Sequence, residues 1–226
     1  MTSKRFRTAI FLCLATLFFH GCAGGPPPSP VEKGEAALAS GDWRLAKTHF
    51  AEALREDPRF GRAWLGQARA QLVGRDPEGT LRSLSSLSRV DRALFAGDAR
   101  LTYADALEGA TRQRFRREQS EAALVAVRAL AKLEPHRRSV GPLLGRALVE
   151  EAARRRWIGD RKVALTLYRE ACEVVPYTLD AWLGAAEILL EFKQGTEAIR
   201  LLELARKTHP TAGQIRTLTI QALGLR

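Results

Sequence analysis

The eighteen residues GDWRLAKTHFAEALREDP, Gly41 to Pro58, return as GDRKVALTLYREACEVVP, Gly159 to Pro176. At the same offset of 118, RAWLGQARAQL from Arg62 falls on DAWLGAAEILL from Asp180. Over 41–84 against 159–202, 15 of 44 residues are identical without a gap. A period of this kind constrains the fold more than composition does, because a unit written twice has to be packed twice in the same way. Most identities are alanine, leucine, glycine, tryptophan or proline, the types that fill cores and end helices. The duplicated object is therefore a structural unit and not a catalytic motif.

Each half of the unit reads as a helix. After Gly41-Asp42, apolar residues fall at Leu45, Ala46, Phe50, Ala53 and Leu54, the three- and four-residue spacing of one helical face. Arg44, Lys47, Glu52, Arg55 and Glu56 lie between them and read as solvated. Pro58 stops this helix, since proline donates no N–H and its ring clashes with the preceding turn. Arg62 to Val73 is helical again, with Ala63, Trp64, Ala68 and Leu72 on one side; Gly74 ends it and Pro77 opens the next helix where proline is best tolerated.

These residues resemble the tetratricopeptide repeat, a 34-residue pair of antiparallel helices A and B. Gly41, Ala46, Phe50, Ala53 and Pro58 follow its pattern, as do Gly159, Ala164, Tyr168, Ala171 and Pro176. The bulky residue early in helix A is Trp64 and Trp182, more loosely Tyr103 and Leu143, at intervals of 39, 40 and 39. Pro135 and Pro210 close further B helices, whereas Arg92 stands where the second repeat should have its proline. The glycine of AWLG comes earlier than in the usual pattern, and the third and fourth repeats carry four or five extra residues. The resemblance implies an all-α, right-handed α-solenoid of about five hairpins, roughly 31–59, 60–93, 98–136, 140–177 and 178–211. A capping helix over 212–226 would turn Ile215, Leu218 and Ala222 inward and Arg216 outward.

A lone hairpin buries too little apolar surface to offset about 1.5 kcal/mol of ordering entropy per residue, so stacked hairpins must share one continuous core. In such repeats the concave groove is lined by helix-A residues. The resemblance places Arg62, Leu65, Arg69 and Leu72 there in the second repeat, and Asp180, Leu183 and Glu187 in the fifth; plain solvation of these positions stays open.

The first thirty residues are different material. Lys4, Arg5 and Arg7 precede an apolar run from Thr8 to Phe19, too short for the roughly 20 residues that span a bilayer. A basic start, a short apolar middle and the small-residue exit HGCAGG read as a secretory signal over 1–21. Gly21-Cys22 resembles the bacterial lipoprotein signal, which implies cleavage before Cys22 and multiple acylation there; secretion with cleavage after Ala23, or an uncleaved anchor, remains open. A single acyl chain binds membranes only marginally, so permanence needs the further chains. Residues 22–30, AGGPPPSP included, form a stiff tether. Ala23 resembles lipoproteins sent to the outer membrane. After removal of Cys13 only Cys22 and Cys172 are left, so a disulfide is not expected, and Cys172 reads as a small core residue.

The chain carries +11, falling to about +8 without the signal. Its cations cluster at Arg112, Arg114, Arg116 and Arg117, and again at Arg154, Arg155, Arg156, Arg161 and Lys162, at the A–B turns of the two lengthened repeats. Lined up, these clusters would form a basic ridge attractive to lipid head groups, acidic glycans or an acidic protein face. The counter-reading is strong: cations suit helix C-termini, and arginine outnumbers lysine about four to one, a genome-wide bias. Export separates the protein from nucleic acid, which is not an expected partner.

No catalytic or metal-binding pattern is found. His49, His136 and His209 are far apart; no phosphate loop, Cys-x-x-Cys or serine elbow occurs; Glu150-Glu151 reads as helix surface. The expectation is a chain with no enzymatic activity, metal or cofactor. It would be a lipid-anchored scaffold of the bacterial envelope, on the outer membrane and facing the periplasm. It resembles pilotins and other repeat-bearing lipoproteins of pilus, secretion, outer-membrane assembly or motility machinery, and its partner would be an envelope protein such as a channel or motility-complex subunit. The alternative is a recruiter that binds peptidoglycan or an acidic envelope polymer through the basic ridge.

Overall fold

The computed structural model describes residues 27–225, which form twelve α-helices and no strand among the described residues. The expected signal over 1–21, Cys22 and most of the expected tether lie outside the described residues. Helices pair as α1 (Pro30–Ala39) with α2 (Trp43–Glu56), and α3 (Gly61–Val73) with α4 (Pro77–Val90). Next come α6 (Arg100–Arg116) with α7 (Ser120–Leu133), α8 (Val140–Trp157) with α9 (Arg161–Val174), and α10 (Leu179–Glu191) with α11 (Gly195–Thr208). Each B helix also packs on the A helix that follows it, which is what makes the array a solenoid. α12 (Gly213–Leu223) covers the last hairpin, with Ile215 and Ala222 buried, Leu218 half-buried and Arg216 exposed.

The twin sequences build twin devices. Gly41 and Gly159 both take positive φ, +83° and +87°, at the A–B turn, a conformation glycine adopts without steric cost. Asp42 and Asp160 then cap α2 and α9 by accepting from the N–H groups of Leu45 and Val163. The Trp64 indole donates to the Pro58 carbonyl at 2.9 Å, and Trp182 to that of Pro176 at 2.7 Å, so each tryptophan ties its A helix to the end of the preceding B helix. Phe50 lies against Gly66, and Tyr168 against Gly184; a Cβ on either glycine would stand well inside contact distance of the ring. The early glycine of AWLG thus admits the aromatic of the neighbouring hairpin. At the A–B turns of repeats two, three and five the positive φ falls instead on Arg75, Glu118 and Lys193.

The extra residues of the third and fourth repeats lengthen α6 and α8 to 17 and 18 residues, against 13 in α3 and α10. Three expectations need correcting. With Arg92 in place of a stopping proline, the chain restarts at once in a short helix, α5 (Arg92–Ala96), capped by Asp91 accepting from Leu94 at 2.9 Å. Leu94 and Phe95 of α5 pack beside Tyr103, with ring centroids of Phe95 and Tyr103 5.4 Å apart. Secondly, the core is uneven along the array: one large cluster runs from Phe115 to Ala222, and three smaller ones lie on α1–α3, on α3–α5 with Ala99, and on α6–α7 with Val140. Leu45, assigned to the buried face of α2, is largely exposed, because it sits a full residue off the Ala46–Phe50–Ala53 stripe. Cys172 is buried, and burial pushes its thiol up to about 12.

Candidate partner-binding groove and arginine edge

Three of the four groove residues assigned to the second repeat meet in one cleft. Arg62, Leu65, Gly66 and Arg69 of α3 face Glu35 and Leu38 of α1 and Leu94 and Asp98 from α5 and the segment after it, around about 250 Å³. Leu65 is buried, so it serves as floor and belongs to the core cluster of Leu84 and Leu87; Arg62 and Arg69 are exposed on the walls. Arg62 donates to Glu35 at 2.8 Å. Leu72 is half-buried further along α3 and does not line the cleft. The volume falls just below the roughly 300–1,000 Å³ of small-molecule pockets, and suits one or two side chains of a longer segment. Its walls carry both signs of charge over an apolar floor, the composition of a site for a mixed peptide. α5 supplies one wall, and nothing in the helical periodicity pointed to it; the missing proline at Arg92 was the only signal.

In the fifth repeat Asp180 is exposed on α10, and Leu183 packs half-buried on the large core. Glu187 is engaged by Arg156 of α8, so this carboxylate joins two A helices and does not wait for a ligand. The groove residues of the two repeats therefore differ in role.

The A–B turns do stand along one edge, since ion pairs connect one turn to the next. Yet most of the arginines assigned to a basic ridge are neutralised there. Arg112 bridges to Glu108, and Arg114 of α6 reaches Glu78 of α4 at 2.9 Å. Arg154 and Arg155 reach Glu121 of α7, at 2.9 and 3.3 Å. Arg156 and Arg161 share Glu191 of α10, at 2.5 and 2.6 Å. Arg116, Arg117 and Lys162 are exposed and make no ion pair among the described residues. The free ridge is thus three cations instead of nine; Arg112 is held within its own helix, and the other five fasten neighbouring repeats. Exposed pairs of this kind are worth about 0–1 kcal/mol each, so they set register more than they set stability.

One pair is different. Glu151, read from the sequence as helix surface, is only 2% exposed. Its carboxylate accepts from Ser120 Oγ at 2.7 Å, from Arg154 at 2.6 and 2.8 Å, and from Arg155 Nε at 2.6 Å. Burial alone would raise its pKa, but the hydrogen bonds from Arg154, Ser120 and Arg155 override that and hold it at about 2. The signal was present: Glu151 lies three and four residues past Leu148 and Ala147 on the apolar stripe of α8, and three arginines follow it.

Among the described residues no group of three or more His, Cys, Asp or Glu could hold a metal ion, and no helix is long and apolar enough to cross a membrane. A search of the curated proteins finds no match. The family model for the tetratricopeptide repeat matches residues 31–79 and 158–213. Among solved structures, a thermophilic TPR protein of Thermus thermophilus is 24% identical, with TM-score 0.35 over 86% of this chain and 97% of its own. The TPR2AB domain of yeast Sti1 is 15% identical, with TM-score 0.38 over 86% of this chain and 84% of that one. The pilF protein of Pseudomonas aeruginosa is 14% identical, with TM-score 0.39 over 87% and 82%. A likeness of this size does not extend to function. The chain carries tetratricopeptide repeats at residues 31–79 and 158–213, a repeat that generally mediates protein–protein interaction as a non-catalytic scaffold.

Proposed function

We propose that this protein is a membrane-anchored adaptor of the bacterial cell envelope that holds a partner protein in the groove between α1, α3 and α5. The groove carries the proposal: Arg62, Leu65 and Arg69 come together there with Glu35, Leu38, Leu94 and Asp98. An extended or helical segment would seat an apolar side chain over Leu65 while its flanking charges answer Arg69 on one wall and Asp98 on the other. Leu94 and Asp98 close the groove on the far side, so the irregular junction after the second repeat makes the site. The anchor rests on sequence alone, on Gly21-Cys22 after the apolar run. Gly21-Cys22 supports acylation of Cys22, Ala23 supports a position on the outer membrane facing the periplasm, and the combination of anchor and repeats supports a pilus, secretion, outer-membrane assembly or motility complex as the assembly served.

The polymer-recruiter alternative loses support, because most of its cations are consumed by Glu78, Glu108, Glu121, Glu187 and Glu191. The test is a photo-crosslinking amino acid placed at Arg69 in intact cells, with one at Val125 on an outward-facing B helix as control. A discrete protein adduct at Arg69 alone is expected, and its loss on Leu38→Glu. Equal labelling at both positions, or none at Arg69, removes the groove reading. The anchor is tested separately: a radiolabelled fatty acid should mark the wild type and not Cys22→Ser.

A further inference from the structure

The end of α8 holds Trp157 90% exposed and Ile158 57% exposed, side by side at the A–B turn of the fourth repeat. An indole offers more apolar area to bury than almost any other side chain, and with Ile158 exposed beside it the two form an apolar step on an otherwise charged edge. Among the described residues no aromatic or cation–π contact engages this ring; those contacts involve Phe95 with Tyr103, Arg44 with Trp43, and Arg146 with Phe115. The free cations lie on the same edge. Arg116 and Arg117 stand at the third turn, Lys162 in the first turn of α9 across the A–B turn from Trp157, and Lys193 at the fifth turn beside the partly exposed Phe192. The Arg154–Glu121 and Arg161–Glu191 pairs hold these three turns together. Among the described residues Glu118 is the exposed acid there without an ion pair; Glu121 and Glu191 are exposed but paired, Glu121 with Arg154 and Arg155 and Glu191 with Arg161, and Asp160 is engaged by Arg155.

We infer that the A–B-turn edge from the third to the fifth repeat docks on an anionic lipid surface. Trp157 and Ile158 seat in the interfacial layer, and Arg116, Arg117, Lys162 and Lys193 face the head groups. An indole is apolar in its rings and polar at its N–H, which is why tryptophan collects at the membrane–water boundary. Each cation near an anionic surface adds an attraction that acts without a shaped pocket. The edge has that form: a row of turn tips with one protruding aromatic step and unpaired cations on both sides. The paired arginines beneath are spent on the junctions between repeats, so only the outermost charges are left for the surface. This inference is independent of acylation at Cys22, which would bind neutral and anionic vesicles alike.

The test uses the full chain with phosphatidylcholine vesicles carrying brominated acyl chains, with or without a third of phosphatidylglycerol. The Trp157 signal is the wild-type fluorescence minus that of Trp157→Phe. Quenching of this component is expected with the anionic vesicles and not with the neutral ones. The triple variant Arg116→Glu, Arg117→Glu, Lys162→Glu, with its helical far-UV spectrum intact, should need at least about 100-fold more anionic lipid for the same quenching. A Trp157 component that is unquenched, equally quenched by neutral vesicles, or indifferent to the charge reversal overturns the inference. So does a ring already shielded without lipid, by a second copy of the chain or by its N-terminal residues.

Discussion

Replacing Glu151 by glutamine keeps the outline of the side chain and removes its charge from beneath Ser120, Arg154 and Arg155. A carboxyl held at about 2 in the folded chain, against 4.5 as its ordinary value, contributes on the order of 3 kcal/mol at neutral pH. The sign is fixed by the direction of the shift. A depressed folded value gives stability that is fully present above 4.5 and drains away as the pH falls toward 2, because the unfolded chain takes up the proton first. By pH 3 roughly 2 of those 3 kcal/mol are gone. Breaking a buried pair typically costs 3–5 kcal/mol, and here Arg154 and Arg155 can turn partly into water, which favours the low end. Urea unfolding of the wild type and Glu151→Gln at pH 7, 5 and 3 should show a gap of about 3 kcal/mol at pH 7 that narrows to about 1 kcal/mol at pH 3. Comparing the two proteins cancels the other carboxylates. A gap under 1 kcal/mol at neutral pH, or one that stays constant with pH, would refute the reasoning.

Gly184→Ala puts a methyl group into the Tyr168 ring and should cost about 1–3 kcal/mol, whereas Gly141→Ala, which meets nothing within 4 Å, should be neutral or gain up to about 1 kcal/mol; urea midpoints compare them. Glu118→Gly and Lys193→Gly relieve a positive φ on a residue with a Cβ and should each raise stability by roughly 0.5–1 kcal/mol, while Gly159→Ala should lower it by a similar amount, again read from urea midpoints. Cys172, buried with its thiol pushed up to about 12, should resist a thiol reagent at pH 8 until denaturant is added; rapid labelling of the folded chain would contradict its place in the core.

The 118-residue offset made the hairpins readable, since helix faces, caps and stops depend on residues a few positions apart. The pairs Phe50 with Gly66 and Tyr168 with Gly184 could be seen as matching letters, though their contact needed the stack. What stayed hidden depends on register between hairpins. Arg114 meets Glu78 across 36 positions, Arg154 meets Glu121 across 33, and Arg156 meets Glu187 across 31, each about one repeat away. A local pattern shows a run of arginines and not the acids opposite them, so the sequence alone shows nine cations where the stack leaves three unpaired. Glu151 is a case of the same kind: its face is legible in the sequence, but its partner Ser120 belongs to the previous hairpin. In the groove, Arg62, Leu65 and Arg69 were legible from the repeat pattern, while the α5 wall arises where that pattern breaks.

The dependence of each hairpin on its neighbours is tested most directly by comparing far-UV circular dichroism of an excised hairpin, residues 140–177, with that of the full chain. The shared apolar faces predict an unfolded spectrum with no cooperative thermal transition for the fragment, beside a helical spectrum with a cooperative transition for the whole chain. A fragment that is helical and melts cooperatively by itself would contradict the account.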